Sequence, residues 1–158
     1  MLGAESAASA SSAVPTTQQL EANRLEGLSG QRRRIAAIDI GTNSTHLLVA
    51  SVDTTLRTFS IVQAEKSTTR LGERDPESGE LTAEAMQRGI ETLRRFRDLA
   101  ASHAVEQVVT AATSAVREAP NGRDFLQRIQ DVLDLEVDLV SGPEAVSYTH
   151  LRAHETGY

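Results

Sequence analysis

"AAIDIGTNSTHLLVASV", residues 36–52, decides the fold, because two apolar runs meet there at a polar tip. Ala36, Ala37, Ile38 and Ile40 lead in, and Leu47, Leu48, Val49 and Val52 lead out after His46. Short aliphatic runs bounded by a glycine-containing turn read as the two strands of a buried hairpin. Between them stand Asp39, Gly41, Thr42, Asn43, Ser44 and Thr45. Gly41 permits a tight turn and a close backbone approach. Thr42, Asn43, Ser44 and Thr45 can present N–H groups and side-chain donors to one small anion. Asp39 cannot serve an anion directly, but beside phosphate a carboxylate can hold Mg2+, directly or through waters. Two readings of the tip therefore stand side by side. One is a phosphate–metal site; the other is an ordinary hairpin turn with Asp39 as a capping group.

Downstream, "LRTFSIVQAEKS" (56–67) reads as a third strand, nearer an edge, so the chain opens with an antiparallel meander. Residues 67–80 form a polar loop with Pro76 and Gly79. "TAEAMQRGIETLRRFRDLAASH" (82–103) is the clearest helix. Thr82 is its N-cap and Glu84 sits in the first turn. Met86, Ile90, Leu93 and Ala100, widened by Phe96 and Leu99, make its apolar stripe, while Arg88, Arg94, Arg95 and Arg97 read as the solvated face. A strand over 104–113, a helix over 121–134 and a strand over 135–140 follow. Strands separated by helices imply parallel neighbours, hence an α/β domain whose mixed sheet carries packed helices.

Composition narrows the functions. The 158 residues contain no cysteine and no tryptophan, with three Phe and two Tyr. Thiolate metal sites, cysteine nucleophiles and disulfides are excluded, and a reducing compartment fits. So few aromatics make a stacking platform for single strands a poor fit. The net charge of -6 argues against a general electrostatic grip on nucleic acid. No stretch approaches the ~20 apolar residues of a membrane span, and the N-terminus lacks the pattern of a secretory leader. No nucleic acid, no membrane and a cytoplasmic location are the expectations.

Two further clusters carry chemistry. In "TAATSAVREAPNG" (110–122) a strand ends at Thr113 and Ser114, where a short helical turn begins. Arg117 lies three residues beyond Ser114, and its guanidinium suits bidentate phosphate contact. The competing reading makes Thr113 or Ser114 a simple cap and pairs Arg117 with Glu118 or Asp124. In "KSTTRLG" (66–72), Lys66 and Arg70 close a strand before Gly72, and a solvated loop is the plainer reading.

Taken together, "IAAIDIGTNSTHLLVA", "TRLGE", "AATSAVREAPNGRDFL" and "VDLVSGPEA" resemble the N-terminal half of the exopolyphosphatase / guanosine pentaphosphate phosphatase (Ppx/GppA) family, from about Arg34 to Ala145. The resemblance implies an actin-like ATPase (ribonuclease H-like) domain, truncated, with the active cleft between two such domains. It implies a hydrolase that releases terminal orthophosphate from inorganic polyphosphate, with guanosine pentaphosphate as the alternative substrate. A kinase of the same superfold and a non-catalytic polyphosphate or nucleotide sensor are the other classes. Asp39 would help hold the Mg2+ cofactor. Gly41, Thr42, Asn43 and Ser44 would form the first phosphate loop, and Thr113, Ser114 and Arg117 would contact terminal phosphates. Glu144, the one glutamate of "SGPEA", would be the general base where the family usually carries a pair. A homodimer of the full-length parent is compatible with the resemblance. The family's second phosphate loop and second domain do not occur, so the chain alone is expected to lack appreciable activity.

Both ends read differently. Residues 1–33 are rich in Ala, Ser, Thr and Gln and are expected to be a disordered tail closed by Arg32–Arg34, and residues 34–145 are the domain. The stretch "VSYTHLRAHET" resembles the translation of a transposase adapter used in sequencing libraries. Residues 146–158 are accordingly expected to be non-native, Tyr148, His150 and His154 among them.

Overall fold

The structure, a computed structural model, describes residues 32–141. The expected N-terminal tail (to residue 31), Glu144 and the 146–158 segment lie outside the described residues.

Five strands form one sheet. They are β1 (Arg32–Ile40), β2 (Ser44–Asp53), β3 (Thr58–Thr68), β4 (Gln107–Ala112) and β5 (Val137–Leu139), in the order β3-β2-β1-β4-β5. The opening meander is present: β1 pairs antiparallel with β2, and β2 with β3. β4 then joins β1 in parallel, and β5 joins β4 in parallel, so the sheet is mixed. Three helices connect them: α1 (Ala83–Ser102), α2 (Ser114–Glu118) and α3 (Gly122–Leu133).

Period-2 alternation sorts the sheet's faces. Ala36, Ile38 and Ile40 of β1 share one face with Leu47 and Val49 of β2 and Ala112 of β4, all buried. Ile90, Leu93 and Phe96 of α1 and Phe125 and Ile129 of α3 pack into the same core. Each such side chain contributes about 1.5–3 kcal/mol by leaving water. Thr82 caps α1 as expected, its hydroxyl accepting from Ala85 N–H at 3.1 Å.

The opposite face carries Ile35, Ala37 and Asp39, with His46 and Leu48 beside them, and borders an open groove of about 660 Å³. β3 is an edge strand, as its sequence suggested, with Phe59, Ile61 and Val62 exposed.

Three expectations need correction. Arg32 and Arg33 belong to β1 rather than to a tail. Arg33 pairs with Glu106 at 2.7 Å, and Arg32 lies 3.7 Å from the Asp53 carboxylate, so partners on neighbouring elements extend the strand. The 67–80 loop is not simply polar: Thr69 and Leu71 are wholly buried. Leu71 belongs to the same core as the helices. Finally, α1 does not present all its arginines to solvent. Arg88 donates to Thr69 O at 3.0 Å, and Arg97 donates to Leu133 O at 3.1 Å.

Candidate functional site

The hairpin tip lies at the carboxyl end of β1. Gly41 N–H donates to Ser44 O at 3.0 Å, which closes the turn. A Cβ on residue 41 would stand 2.8 Å from that carbonyl, so only glycine closes the turn without shifting backbone. Thr42 and Asn43 are exposed, whereas Ser44 is 8% exposed and Thr45 1%.

β4 ends beside the same turn, because Ile40 and Ala112 are the last parallel pair of β1 and β4. Thr113 N–H donates to Ile40 O at 3.2 Å, and the Thr113 hydroxyl reaches that carbonyl at 3.4 Å. Thr113 is the N-cap of α2, yet its side chain makes no capping bond. Ser114 Oγ then meets Thr42 Oγ1 at 3.2 Å. The two polar clusters, 72 residues apart in sequence, are one cluster in space. Open α/β sheets bind ligands at this place, beyond the carboxyl ends of adjacent parallel strands.

Arg117 projects from α2, and its side chain is 35% exposed. Its Nη1 donates to Val140 O at 2.6 Å, and Nη2 lies 3.7 Å from Glu118 Oε1. Val140 N–H in turn donates to Ala112 O at 3.0 Å. The chain leaving β5 is thereby held at the end of β4 next to Arg117. The Glu118 partner foreseen for Arg117 is present, and Val140 is an additional one.

Asp39 sits two residues before Gly41, on the open face of the sheet. Its register partners are His46 on β2 and Ala111 on β4, and His46 pairs in turn with Lys66 on β3. Among the described residues no three His, Cys, Asp or Glu side chains converge as a metal cage. One carboxylate near a hydroxyl-lined turn is compatible with Mg2+, which keeps several waters and uses one or two carboxylates plus phosphate oxygens.

The scaffold of this site comes from the 69–74 loop and from Asn121. Gly72 N–H donates to Thr42 O at 2.8 Å, while Thr69 and Arg70 N–H donate to Asn43 O at 3.1 and 2.9 Å. A Cβ on residue 72 would fall 2.6 Å from the Thr42 methyl. Arg74 donates to Ala115 O at 2.8 Å and so reaches α2 from the same loop. Asn121 bonds the Leu81 peptide from both ends of its amide, at 2.8 and 3.0 Å. Arg70 and Gly72 stand out in the sequence, beside a strand end, and Asn121 lies in a quoted motif, but nothing local assigns any of them a scaffold role, and nothing in the helical period marks Arg88.

A mixed sheet that opens as a meander, continues in parallel and carries two hydroxyl-bearing turns at one end defines part of the actin-like ATPase fold. Solved structures agree. The Aquifex aeolicus Ppx/GppA family member superposes with a TM-score of 0.66 at 31% identity, over 70% of this chain and 36% of that one. An exopolyphosphatase from Cytophaga hutchinsonii gives 0.65 at 36% identity, over 70% and 35% of the two chains.

The chain belongs to the Ppx/GppA phosphatase family, whose model matches residues 47–156. Exopolyphosphatase 1 of Mycobacterium tuberculosis is 30% identical over 118 residues, which cover 75% of this chain. The chain spans 34% of that relative's length. The family model begins after the 39–44 turn.

Proposed function

We propose that this chain forms one wall of a phosphoanhydride-hydrolase site that releases terminal orthophosphate from inorganic polyphosphate. The single observation that carries the reading is the contact of Thr42 with Ser114 at 3.2 Å, which brings the donors of two separate loops to one place. The Ppx/GppA family match and the exopolyphosphatase relatives support the reaction class.

Phosphoryl transfer to water needs positioning, charge neutralisation and an oriented nucleophile. Gly41, Thr42, Asn43 and Ser44 would grip one terminal phosphate from one side, and Thr113 and Ser114 from the other. Arg117 supplies a full positive charge next to them, and a guanidinium matches phosphate oxygens two at a time. Asp39 would hold Mg2+, which when bound neutralises charge on the phosphoanhydride oxygens. Glu144, three residues past Ser141 in the sequence, is the general base of this proposal and would orient water for in-line attack. Residues beyond this chain would complete the site, so the 158-residue chain by itself is expected to show no appreciable turnover.

The test is phosphate release by a family-length protein carrying this chain, with Mg2+, from polyphosphate and from guanosine pentaphosphate in parallel. Faster turnover of polyphosphate supports the proposal. Preference for guanosine pentaphosphate moves the substrate to the alarmone, and formation of ADP with an added acceptor would make the protein a kinase. Tight binding without turnover would make it a sensor. Glu144→Gln is expected to abolish release while substrate binding persists.

A further inference from the structure

We propose that Arg88 is a positioning residue for the first phosphate turn, acting through the 69–73 loop; this rests on the phosphate-binding reading given above. Arg88 lies on α1, and its side chain is 31% exposed. Its Nε donates to Thr69 O at 3.0 Å, and its Nη2 donates to Glu73 Oε2 at 2.6 Å. One guanidinium therefore holds both ends of a five-residue loop.

Between those ends lie the donors that orient the turn. Gly72 N–H takes Thr42 O, and Thr69 and Arg70 N–H take Asn43 O. All peptide bonds of the described chain are trans. In a planar trans peptide the N–H points opposite to the carbonyl of the preceding residue. Pulling the carbonyls of Thr42 and Asn43 toward the 69–72 loop therefore aims the N–H groups of Asn43 and Ser44 away from it. A wall of N–H donors on the far side of a tight turn is what an anion needs.

The loop cannot hold this shape by composition alone. Arg70 sits at φ 49°, a left-handed conformation that a non-glycine residue adopts only when its surroundings hold it there. Arg70 also pairs with Glu73 at 3.2 Å, so Glu73 is shared between Arg70 and Arg88. The buried Thr69 hydroxyl meets Thr45 Oγ1 at 3.0 Å, which ties the loop's first residue to β2. Arg88 thus fixes, from outside the site, the direction in which the turn's donors face.

The test uses a family-length protein carrying this chain. It measures KM and kcat on polyphosphate, the equilibrium affinity for inorganic tripolyphosphate, and thermal unfolding. Arg88→Ala is expected to raise KM about tenfold and weaken tripolyphosphate binding in step, with kcat within about twofold, because the loss falls equally on ground and transition states. Arg88→Lys is expected to restore part of the affinity, since an ammonium reaches one partner but not both. Glu73→Gln is expected to shift KM in the same direction by less. Arg94→Ala, an exposed arginine on the same helix, is expected to change nothing.

Should Arg88→Ala fail to fold, the Lys and Gln variants carry the same reading. Folded variants that keep wild-type KM and tripolyphosphate affinity overturn the role of Arg88 and leave the site reading intact. Equal loss of affinity in Arg94→Ala would likewise overturn it, by showing a general charge effect. A wild-type protein that neither binds tripolyphosphate nor releases phosphate from polyphosphate overturns the site reading, and this role with it.

Discussion

Thr42 and Ser114 occupy equivalent places on neighbouring strands, each two residues past the last parallel pair, Ile40 with Ala112, and their hydroxyls meet at 3.2 Å. Register produces this contact. Parallel strands end on the same side of the sheet, so equal steps beyond a shared pair bring their turns together. Burial of Ile38, Ile40 and Ala112 against the helices holds that register, because a one-residue slip would turn those side chains to the other face. Core packing thus sets the spacing of the two turns.

Removing either hydroxyl should weaken phosphate binding. A hydrogen bond to a charged group contributes about 1.5–3 kcal/mol. In a family-length protein, Ser114→Ala and Thr42→Val are each expected to raise KM for polyphosphate about tenfold or more. The double variant is expected to lose less than the sum, because the two hydroxyls touch. Strict additivity in the double-mutant cycle would show that they do not serve the same phosphate.

The residues that follow Arg117 in the same motif are structural. The Asn121 amide satisfies both polar groups of Leu81, and a Cβ on residue 122 would collide with the carbonyl of Val116. Asn121→Leu leaves a partly buried N–H and C=O unmet, at about 1–3 kcal/mol. Gly122→Ala forces α2 and α3 apart at a similar cost. Urea unfolding is expected to show both losses, with the KM of the folded fraction unchanged. A raised KM for either would place them in the site.

How much of this was legible follows from what kind of signal each feature leaves. Alternation exposed β1 and β2, and the 3.6 period exposed α1 and its Thr82 cap, because each depends on residues near in sequence. The site residues Thr42 and Ser114 were legible as two local turns, but their union depends on strand order, which no local pattern encodes. Arg88 borders the polar side of α1, so its sequence position alone points to solvent. Its partners Thr69 and Glu73 lie on a loop whose buried Leu71 has no periodic neighbours to announce it. Arg32 and Arg33 follow a stretch rich in Ala, Ser, Thr and Gln, so composition assigns them to a tail, whereas pairing with Asp53 and Val52 of β2 carries the strand through them.

Asp75 makes its own turn sensitive to acid. Backbone N–H groups of Ser78 and Glu77 donate to its Oδ1 at 2.8 and 2.9 Å and hold its pKa below the ordinary 3.8, with the Ser78 N–H the larger cause. Desolvation opposes the shift. A depressed carboxyl pKa means the unfolded state binds more protons, so the contribution is present above pH 3.8 and is lost as pH falls through the lower folded value. The stability difference between wild type and Asp75→Ala is expected to stay constant from neutral pH down to about pH 5 and to shrink below 3.8. Urea unfolding across a pH series measures this, and a difference that widens in acid would contradict it.

Arg117 should separate charge from geometry. Its fork holds Val140 O at 2.6 Å and lies near the Glu118 carboxylate at 3.7 Å, an exposed arrangement that adds little stability. Substituting Arg117 is therefore expected to cost the fold little, so a loss of activity would report on the site. Arg117→Gln removes the charge, and in a family-length protein kcat/KM on polyphosphate is expected to fall about 100- to 1,000-fold, the scale for losing one preorganised donor to developing charge. Arg117→Lys keeps the charge but loses the planar fork, and an intermediate loss is expected. Both variants should unfold within a few degrees of wild type. A Lys variant as poor as Gln would mean that bidentate geometry, with Val140 holding the fork ready, matters more than charge. A Gln variant with undiminished kcat/KM would remove Arg117 from the site.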